Sequence, residues 1–274
     1  MATPRVSVLT ATWNHERVIG QAIQSVLDQT FKDWELVIVD DGSIDRTAEV
    51  VREWQKKDKR IKYFHPDHHI GRIAVVSNAG LKEARGEFVA VLDGDDWWAD
   101  KRKLEKQITF LDAHQDYIGC GGGFIVMGGE GKEVSRLLKP ETDEAIRRIA
   151  LYANPMTNSS GIFRRERAGF YDESMPQFAD WDFWLTAGTK GKLYNFPEYF
   201  LAYRMWDRGS SFVNQRQNAN AAFAIFKKHK REYPGSTKAF FLITLYWCYA
   251  FLPIWFRRAV NAPLSRLKKL MFSG

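Results

Sequence analysis

Short apolar runs alternate with helical patterns through the first hundred residues. Residues 6–11, 36–39, 61–64 and 88–92 each read as a buried strand. Between the first two, Val18, Ile19, Ala22, Ile23, Val26 and Leu27 recur at helical spacing within residues 16–29. Val50, Val51 and Trp54 mark a second helix, with Ser43 or Asp45 as its N-cap. A third covers residues 74–84 and stops at Arg85-Gly86. Strands that are apolar on both faces and separated by helices imply a parallel sheet covered on both sides. Past residue 100 the alternation loosens. Helices are expected over residues 104–113 and 143–151, and around 183–187. Strands are expected over 120–127, with a Gly-rich entrance, and over 159–163.

Acidic residues crowd where apolar runs end. Asp40-Asp41 follows the second strand, and Asp93-Gly94-Asp95-Asp96 follows the fourth, with Asp100 close behind. Asp180-Trp181-Asp182 comes later among aromatics. Carboxylates this close repel one another and are usually kept for a divalent cation or a polar ligand. In an open parallel sheet, ligands bind at the carboxyl ends of the strands. The pattern predicts a metal-assisted nucleotide site with a separate carboxylate base.

The length suits one large domain with an appendage. The N-terminus has no basic segment followed by an apolar one, so no signal peptide is expected. Cys120 and Cys248 are far apart and lack metal-ligand spacing, which fits a reduced, cytoplasmic protein. His65, His68 and His69 read as a connecting loop and not as a metal cluster.

Five segments carry a family resemblance, running in order from Val6 to about Ser211. They are Val6-Ser7-Val8-Leu9-Thr10-Ala11-Thr12-Trp13-Asn14, Ser25-Val26-Leu27-Asp28-Gln29-Thr30, Glu35-Leu36-Val37-Ile38-Val39-Asp40-Asp41-Gly42-Ser43, Asn78-Ala79-Gly80 with Ala84-Arg85-Gly86-Glu87, and Leu92-Asp93-Gly94-Asp95-Asp96. The chain resembles the family 2 glycosyltransferases. The resemblance implies an α/β GT-A fold with a mostly parallel, Rossmann-like sheet, a nucleotide-sugar donor, Mn²⁺ or Mg²⁺, and inversion at the anomeric carbon. It makes Asp93-Gly94-Asp95 the family's DxD motif, with Asp95 as direct metal ligand, Asp93 towards the ribose or a metal-bound water, and Asp96 as a third candidate. The alternative is an Asp-rich turn capping the next helix. It places Asp41 on the nucleobase, most often uracil, with backbone of Ala11 and Thr12 as the opposite wall. An Asx turn with Gly42-Ser43 is the other reading of Asp41.

Gln177-Phe178-Ala179-Asp180-Trp181-Asp182-Phe183-Trp184-Leu185 resembles the family's segment that ends in the general base, which falls here on Asp180. Ala179 departs from that pattern, where Glu is common. Asp182 is the runner-up, and a helix N-terminal acid is its simpler explanation. Tyr203-Arg204-Met205-Trp206-Asp207-Arg208-Gly209-Ser210-Ser211 is similar to a later family stretch, with Trp206 where His is frequent, so a contact from that position is expected to be lost. Arg204 or Arg208 can clamp the diphosphate. Ser77 stands where many members carry Arg, and Arg72 is the candidate substitute.

The chain thus divides into a catalytic domain over 1–210, with a nucleotide-sugar half over 1–100 and an acceptor half over 101–210, and a tail over 211–274. The net charge of +7 is concentrated in the tail, which holds eleven Lys and Arg and one acid, Glu232, for +10 against −3 elsewhere. Residues 239–256 are uncharged, but eight of the 18 are aromatic, and Pro253 and flanking basic residues argue against a span. A short basic amphipathic helix is expected over 264–271. The tail is expected to lie on an anionic membrane surface through 238–274, at the cytoplasmic face, with a true span or packing on the catalytic domain as alternatives. The expected activity is transfer of a hexose or N-acetylhexosamine from a UDP-sugar to a hydroxyl of a lipid-linked or polysaccharide acceptor, with no nucleic acid involved. A non-catalytic sugar-binding module is the competing class. A nucleotidyltransferase is disfavoured because Ala11-Thr12-Trp13-Asn14 replaces a Gly-rich basic loop.

Overall fold

The computed structural model describes residues 3–66, 68–128, 131–206 and 215–253. The first hundred residues give β1 (Val6–Thr12), α1 (Ile19–Leu27), β2 (Trp34–Asp40), α2 (Thr47–Lys57), β3 (Ile61–Phe64), α3 (Ile73–Glu83) and β4 (Phe88–Val91). β1 pairs in parallel with β2 and β4, setting Val6 opposite Trp34 on one side and Phe88 on the other. β3 joins β2 in parallel. Alternation along these strands feeds two cores. Val8, Leu36, Ile38, Phe88 and Ala90 face α1, whereas Leu9, Val37, Val39, Val89 and Val91 face α3. Full burial of each such side chain contributes about 1.5–3 kcal/mol. The N-cap of α2 is Arg46, with neither Ser43 nor Asp45 in that position, and Asp45 just before it accepts from the backbone N–H of Thr47 at 2.9 Å.

The second half continues with β5 (Trp97–Trp98), α4 (Lys103–Ala113), β6 (Tyr117–Met127), β7 (Glu133–Leu137), α5 (Asp143–Ile149), a 3₁₀ turn (Asn158–Ser160), β8 (Ile162–Arg164), α6 (Arg165–Ala168), α7 (Ala179–Gly188) and β9 (Lys192–Arg204). Among the described residues all strands form one sheet, ordered β3-β2-β1-β4-β8-β6-β9-β5, with β7 beside β6. The parallel expectation holds for the first four strands and again where β9 runs alongside β6. β8 runs antiparallel to both β4 and β6, and β5 antiparallel to β9. Because β8 is inserted between β4 and β6, no break in the sheet marks residue 100.

Two helices close the described chain, α8 (Gln215–His229) and α9 (Ser236–Phe251). α8 buries Ala219, Ala222, Ile225 and Phe226 in the core shared with α7. The anchor is Asp182, 1 % exposed, whose carboxylate pairs with His229 Nε2 at 2.9 Å and Lys228 Nζ at 2.8 Å. That carboxylate serves structure. α9 lays Ala239, Ile243 and Ala250 inward, and its other side is apolar and exposed. No helix among the described residues is long and apolar enough to cross a membrane. Arg208, Ser210, Ser211 and the amphipathic 264–271 segment lie outside the described residues.

Removing one member of a buried ion pair strands the other. Asp182→Ala is expected to cost about 3–5 kcal/mol in urea unfolding. Lys228→Met, at a half-exposed position, should cost about 1 kcal/mol or less. Equal losses in the two variants would show that the buried carboxylate is not the anchor.

Candidate active site

The turn after β4 packs directly on the end of β1. Gly94 N donates to Ala11 O at 3.0 Å, and a Cβ at position 94 would meet Thr12 Oγ1 at 2.6 Å. Glycine is what lets Asp93-Gly94-Asp95-Asp96 lie against Ala11 and Thr12. Each carboxylate of this turn has its own donor. Ser159 Oγ donates to Asp93 Oδ2 at 2.6 Å, Trp206 Nε1 to Asp95 Oδ2 at 2.8 Å, and Arg204 N to Asp96 Oδ1 at 2.9 Å. The position where His is frequent in the resemblance therefore keeps a contact, through an indole on Asp95. Burial, reinforced by Asp95 and Asp180, raises Asp93 to about 7. Burial also lifts Asp96 well above the carboxylate range, with Asp95 and Asp93 adding to it.

Asp180 faces the same space. A cleft of about 620 Å³ is lined by Asp93, Asp96, Lys139, Asn154, Asp180 and Tyr203, among others. Asp180 is set there by a sharp entry into α7. Phe178 takes a left-handed conformation, φ 58°, which costs a non-glycine residue about 1–3 kcal/mol. Trp181 Nε1 then donates to Ala150 O at 2.8 Å and fixes the first turn. Burial raises Asp180, and hydrogen bonds from Trp181 N and Asn154 oppose that rise.

Asp41 and Asp40 hold loops at the end of β2. Asp41 Oδ1 accepts from Ile70 N at 2.7 Å and Oδ2 from Gly71 N at 2.9 Å, with His69 Nδ1 a further 3.1 Å neighbour of Oδ2, so Oδ1 is the oxygen with a lone pair for a ligand. The turn into Ser43 is held by Asp40 and not by Asp41: Asp40 Oδ1 accepts from Ser43 N, three residues on, at 2.8 Å. Gly42, at φ 73°, sits against the backbone of His68 and His69. His69 stacks on the half-exposed Trp13 with ring centroids 4.5 Å apart. Arg204 does not reach outward. Its guanidinium donates to Asp95 O at 3.0 Å and Gln21 Oε1 at 2.8 Å, so it braces the acidic turn. Arg72 is exposed, with a long contact of 3.5 Å to Glu173 O.

The donor set suits a hard divalent ion. Among the described residues no three His, Cys, Asp or Glu side chains converge to hold a metal by themselves. Mg²⁺-type sites commonly use one or two carboxylates and take the rest of their oxygens from substrate phosphates and water. Asp93 and Asp95 fit that requirement, and their mutual repulsion is what such a charge relieves. Sequence reasoning missed Ser159, Asn154 and Lys139. Nothing in the local sequence marks them, since only the fold brings them to the acidic turn and to Asp180.

A mixed sheet with carboxylates massed at the carboxyl ends of β2 and β4, and a further one across the cleft, defines a GT-A glycosyltransferase. Two solved structures share the fold. S. aureus TarS 1–349 in complex with UDP-GlcNAc superposes with TM-score 0.64 at 23% identity, covering 82% of this chain and 66% of that one. Mannosyltransferase PcManGT from Pyrobaculum calidifontis, in complex with GDP-Man and Mn²⁺, gives 0.66 at 20% identity, covering 97% and 75%. The model of glycosyl transferase family 2 matches residues 7–170, and the chain belongs to that family. An uncharacterised glycosyltransferase of Haemophilus influenzae is 31% identical over 243 residues, 84% of this chain and 73% of the relative. The putative teichuronic acid biosynthesis glycosyltransferase TuaG of Bacillus subtilis is 30% identical over 236 residues, 83% and 89%.

Gly94→Ala is expected to push the acidic turn off Thr12 and cost about 1–3 kcal/mol, read from the urea midpoint. An unchanged midpoint would mean that the approach has room for a methyl group.

Proposed function

We propose that the chain is an inverting, metal-dependent glycosyltransferase that moves a hexose or N-acetylhexosamine from a UDP-sugar to a hydroxyl of a lipid-linked or polysaccharide acceptor. The observation that carries this reading is the sharing of one cleft by Asp180 and the acidic turn. A leaving diphosphate and an attacking hydroxyl need these two kinds of group on either side of one anomeric carbon. The nucleotide sugars named in the two solved structures support the donor class, and the name of the TuaG relative supports a cell-surface glycan as acceptor.

Asp95 and Asp93, with Asp96 beside them, would hold Mn²⁺ or Mg²⁺, which when bound offsets negative charge on the departing diphosphate. Asp41 and the backbone of Ala11 and Thr12 would line the base pocket, and Arg204 would act on the donor by fixing the turn that carries Asp95. Arg72, exposed and next in sequence to Gly71 that bonds Asp41, is a candidate among the described residues for the diphosphate. Asp180 takes the proton from the acceptor hydroxyl as that oxygen bonds to C1. The C1–O bond to the diphosphate breaks, and its electrons leave with UDP.

Asp180→Asn should abolish turnover while UDP-sugar still raises the melting temperature, and Asp95→Ala should weaken both donor and Mn²⁺ binding. Full turnover in Asp180→Asn would remove the mechanism. A screen of UDP-, GDP- and dTDP-sugars with Mn²⁺, with and without EDTA, names the donor, and absence of nucleotide release with every one would favour a binding module. The base works only when ionised, and burial raises its pKa. Activity should therefore rise with pH along a limb above the ordinary carboxylate value of about 4. A limb at or below that value would contradict the assignment.

The outer side of α9 supports attachment to the cytoplasmic face of the membrane. Phe241, Leu245, Trp247, Phe251 and Leu252 are exposed along one helix, beside the basic residues of α8 and Lys238. Interfacial helices pair such an apolar strip with cationic flanks. The doubly substituted Phe241→Asp, Leu245→Asp chain should pellet less with phosphatidylglycerol vesicles than the unaltered chain. Equal pelleting would sink the attachment.

A further inference from the structure

Lys139, in the segment after β7, is a cation in the cleft wall that the transfer chemistry leaves unassigned. It is half-buried, and no carboxylate lies within ion-pair distance among the described residues. Its Nζ donates to Asn154 O at 2.9 Å. Its only other partner among the described residues is the face of Phe124, 5.9 Å from Nζ to the ring centroid, and an ammonium in a cleft wall with a neutral carbonyl and a ring as partners is costly. Such a group needs a reason to be where it is, and the next bond supplies one. Asn154 Nδ2 donates to Asp180 Oδ2 at 2.8 Å. The orientation of that amide follows from its other end, because Asn154 Oδ1 accepts from Met156 N at 3.2 Å and a backbone N–H can only donate.

The two segments are fastened to each other. Asn195, fully buried on β9, donates through Nδ2 to Pro140 O at 2.8 Å and to Pro155 O at 3.1 Å. Those prolines directly follow Lys139 and Asn154 in sequence. Pro155 also biases Asn154 to an extended backbone. The charged groups facing Asp180 are Lys139 and, after β4, Asp93, while Tyr171 faces it as a neutral phenol. Lys139 alone among them has the opposite sign.

We propose that Asn154 and Lys139 are positioning residues for Asp180. Asn154 donates to Oδ2 and, with the backbone N–H of Trp181, orients the carboxylate while acceptor sites remain for the hydroxyl. Lys139, held behind Asn154, supplies the positive charge that offsets the neighbouring carboxylates in a desolvated cleft. The inference rests on the reading of Asp180 as the base, and its test is built to fail separately from that reading.

The experiment uses the full chain with ¹³C-labelled aspartate carboxyls, free of donor and metal, with the Asp180 resonance assigned by its loss in Asp180→Asn. In Lys139→Met and in Asn154→Ala the Asp180 titration midpoint should move to higher pH, and Lys139→Arg should return it towards the starting value. Lys139→Gln, which keeps a donor and removes the charge, serves if the methionine variant does not fold. A midpoint unmoved in both variants, with Asp180→Asn inactive in the donor screen, overturns the positioning role and leaves the base in place. A moved midpoint with Asp180→Asn fully active overturns the base and the positioning role together.

Discussion

Three carboxylates in a turn of four residues repel one another, and much of the architecture answers that repulsion. Asp93, Asp95 and Asp96 each receive a different donor from a different part of the chain. Ser159 comes from the 3₁₀ turn before β8, Arg204 from the last residue of β9, and Trp206 from just beyond it. Placing β8 next to β4, and bringing β9 back across the sheet to β5, is what delivers those donors. The mixed half of the sheet is thus tied to the electrostatics of the parallel half. Two of the three acids are nevertheless held above their ordinary range, and that residual tension is what a divalent cation would relieve.

Legibility in the sequence followed burial. β1, β2 and β4 are buried on both faces, so their apolar runs declared them, and α1 announced itself by spacing. β9 was not foreseen although it is the longest strand. Its sequence, Lys192-Leu193-Tyr194-Asn195-Phe196-Pro197-Glu198-Tyr199-Phe200-Leu201-Ala202-Tyr203-Arg204, carries a proline, three charges and irregular burial, and its register against β6 shifts three times. β7 is mostly exposed and has no apolar pattern to read. At the site, Asp93, Asp96 and Asp180 were named from motifs and do meet in one cleft. Arg204 was expected at a ligand and instead holds the turn beneath it, a distinction that depends on side-chain direction and not on residue type. Lys139 and Asn154 had no signal, because what matters is a pairing 26 residues apart between Asn154 and Asp180.

From sequence, the uncharged aromatic stretch suggested a surface for lipid, with packing on the catalytic domain as an alternative; the described helices do pack on it. α8 packs, through small residues and the Asp182 ion pairs, and α9 packs with one side while leaving the other open. An apolar helix can serve both contacts when its inner side is built of small and β-branched residues such as Ala239, Ile243 and Ala250 and its outer side of large aromatics.

The Asp182 anchor also sets an order of events during synthesis. α7 begins at Ala179, but the partners of its buried carboxylate, Lys228 and His229, lie 46 and 47 residues further along. Until that stretch has left the ribosome, the helix that carries Asp180 has an unpaired charge at its core and no cover from α8. Helix α7 of the nascent chain therefore lacks its anchor while most of the sheet is already available to form. Maturation of the site is a late event, timed by emergence of the same tail that carries the apolar strip.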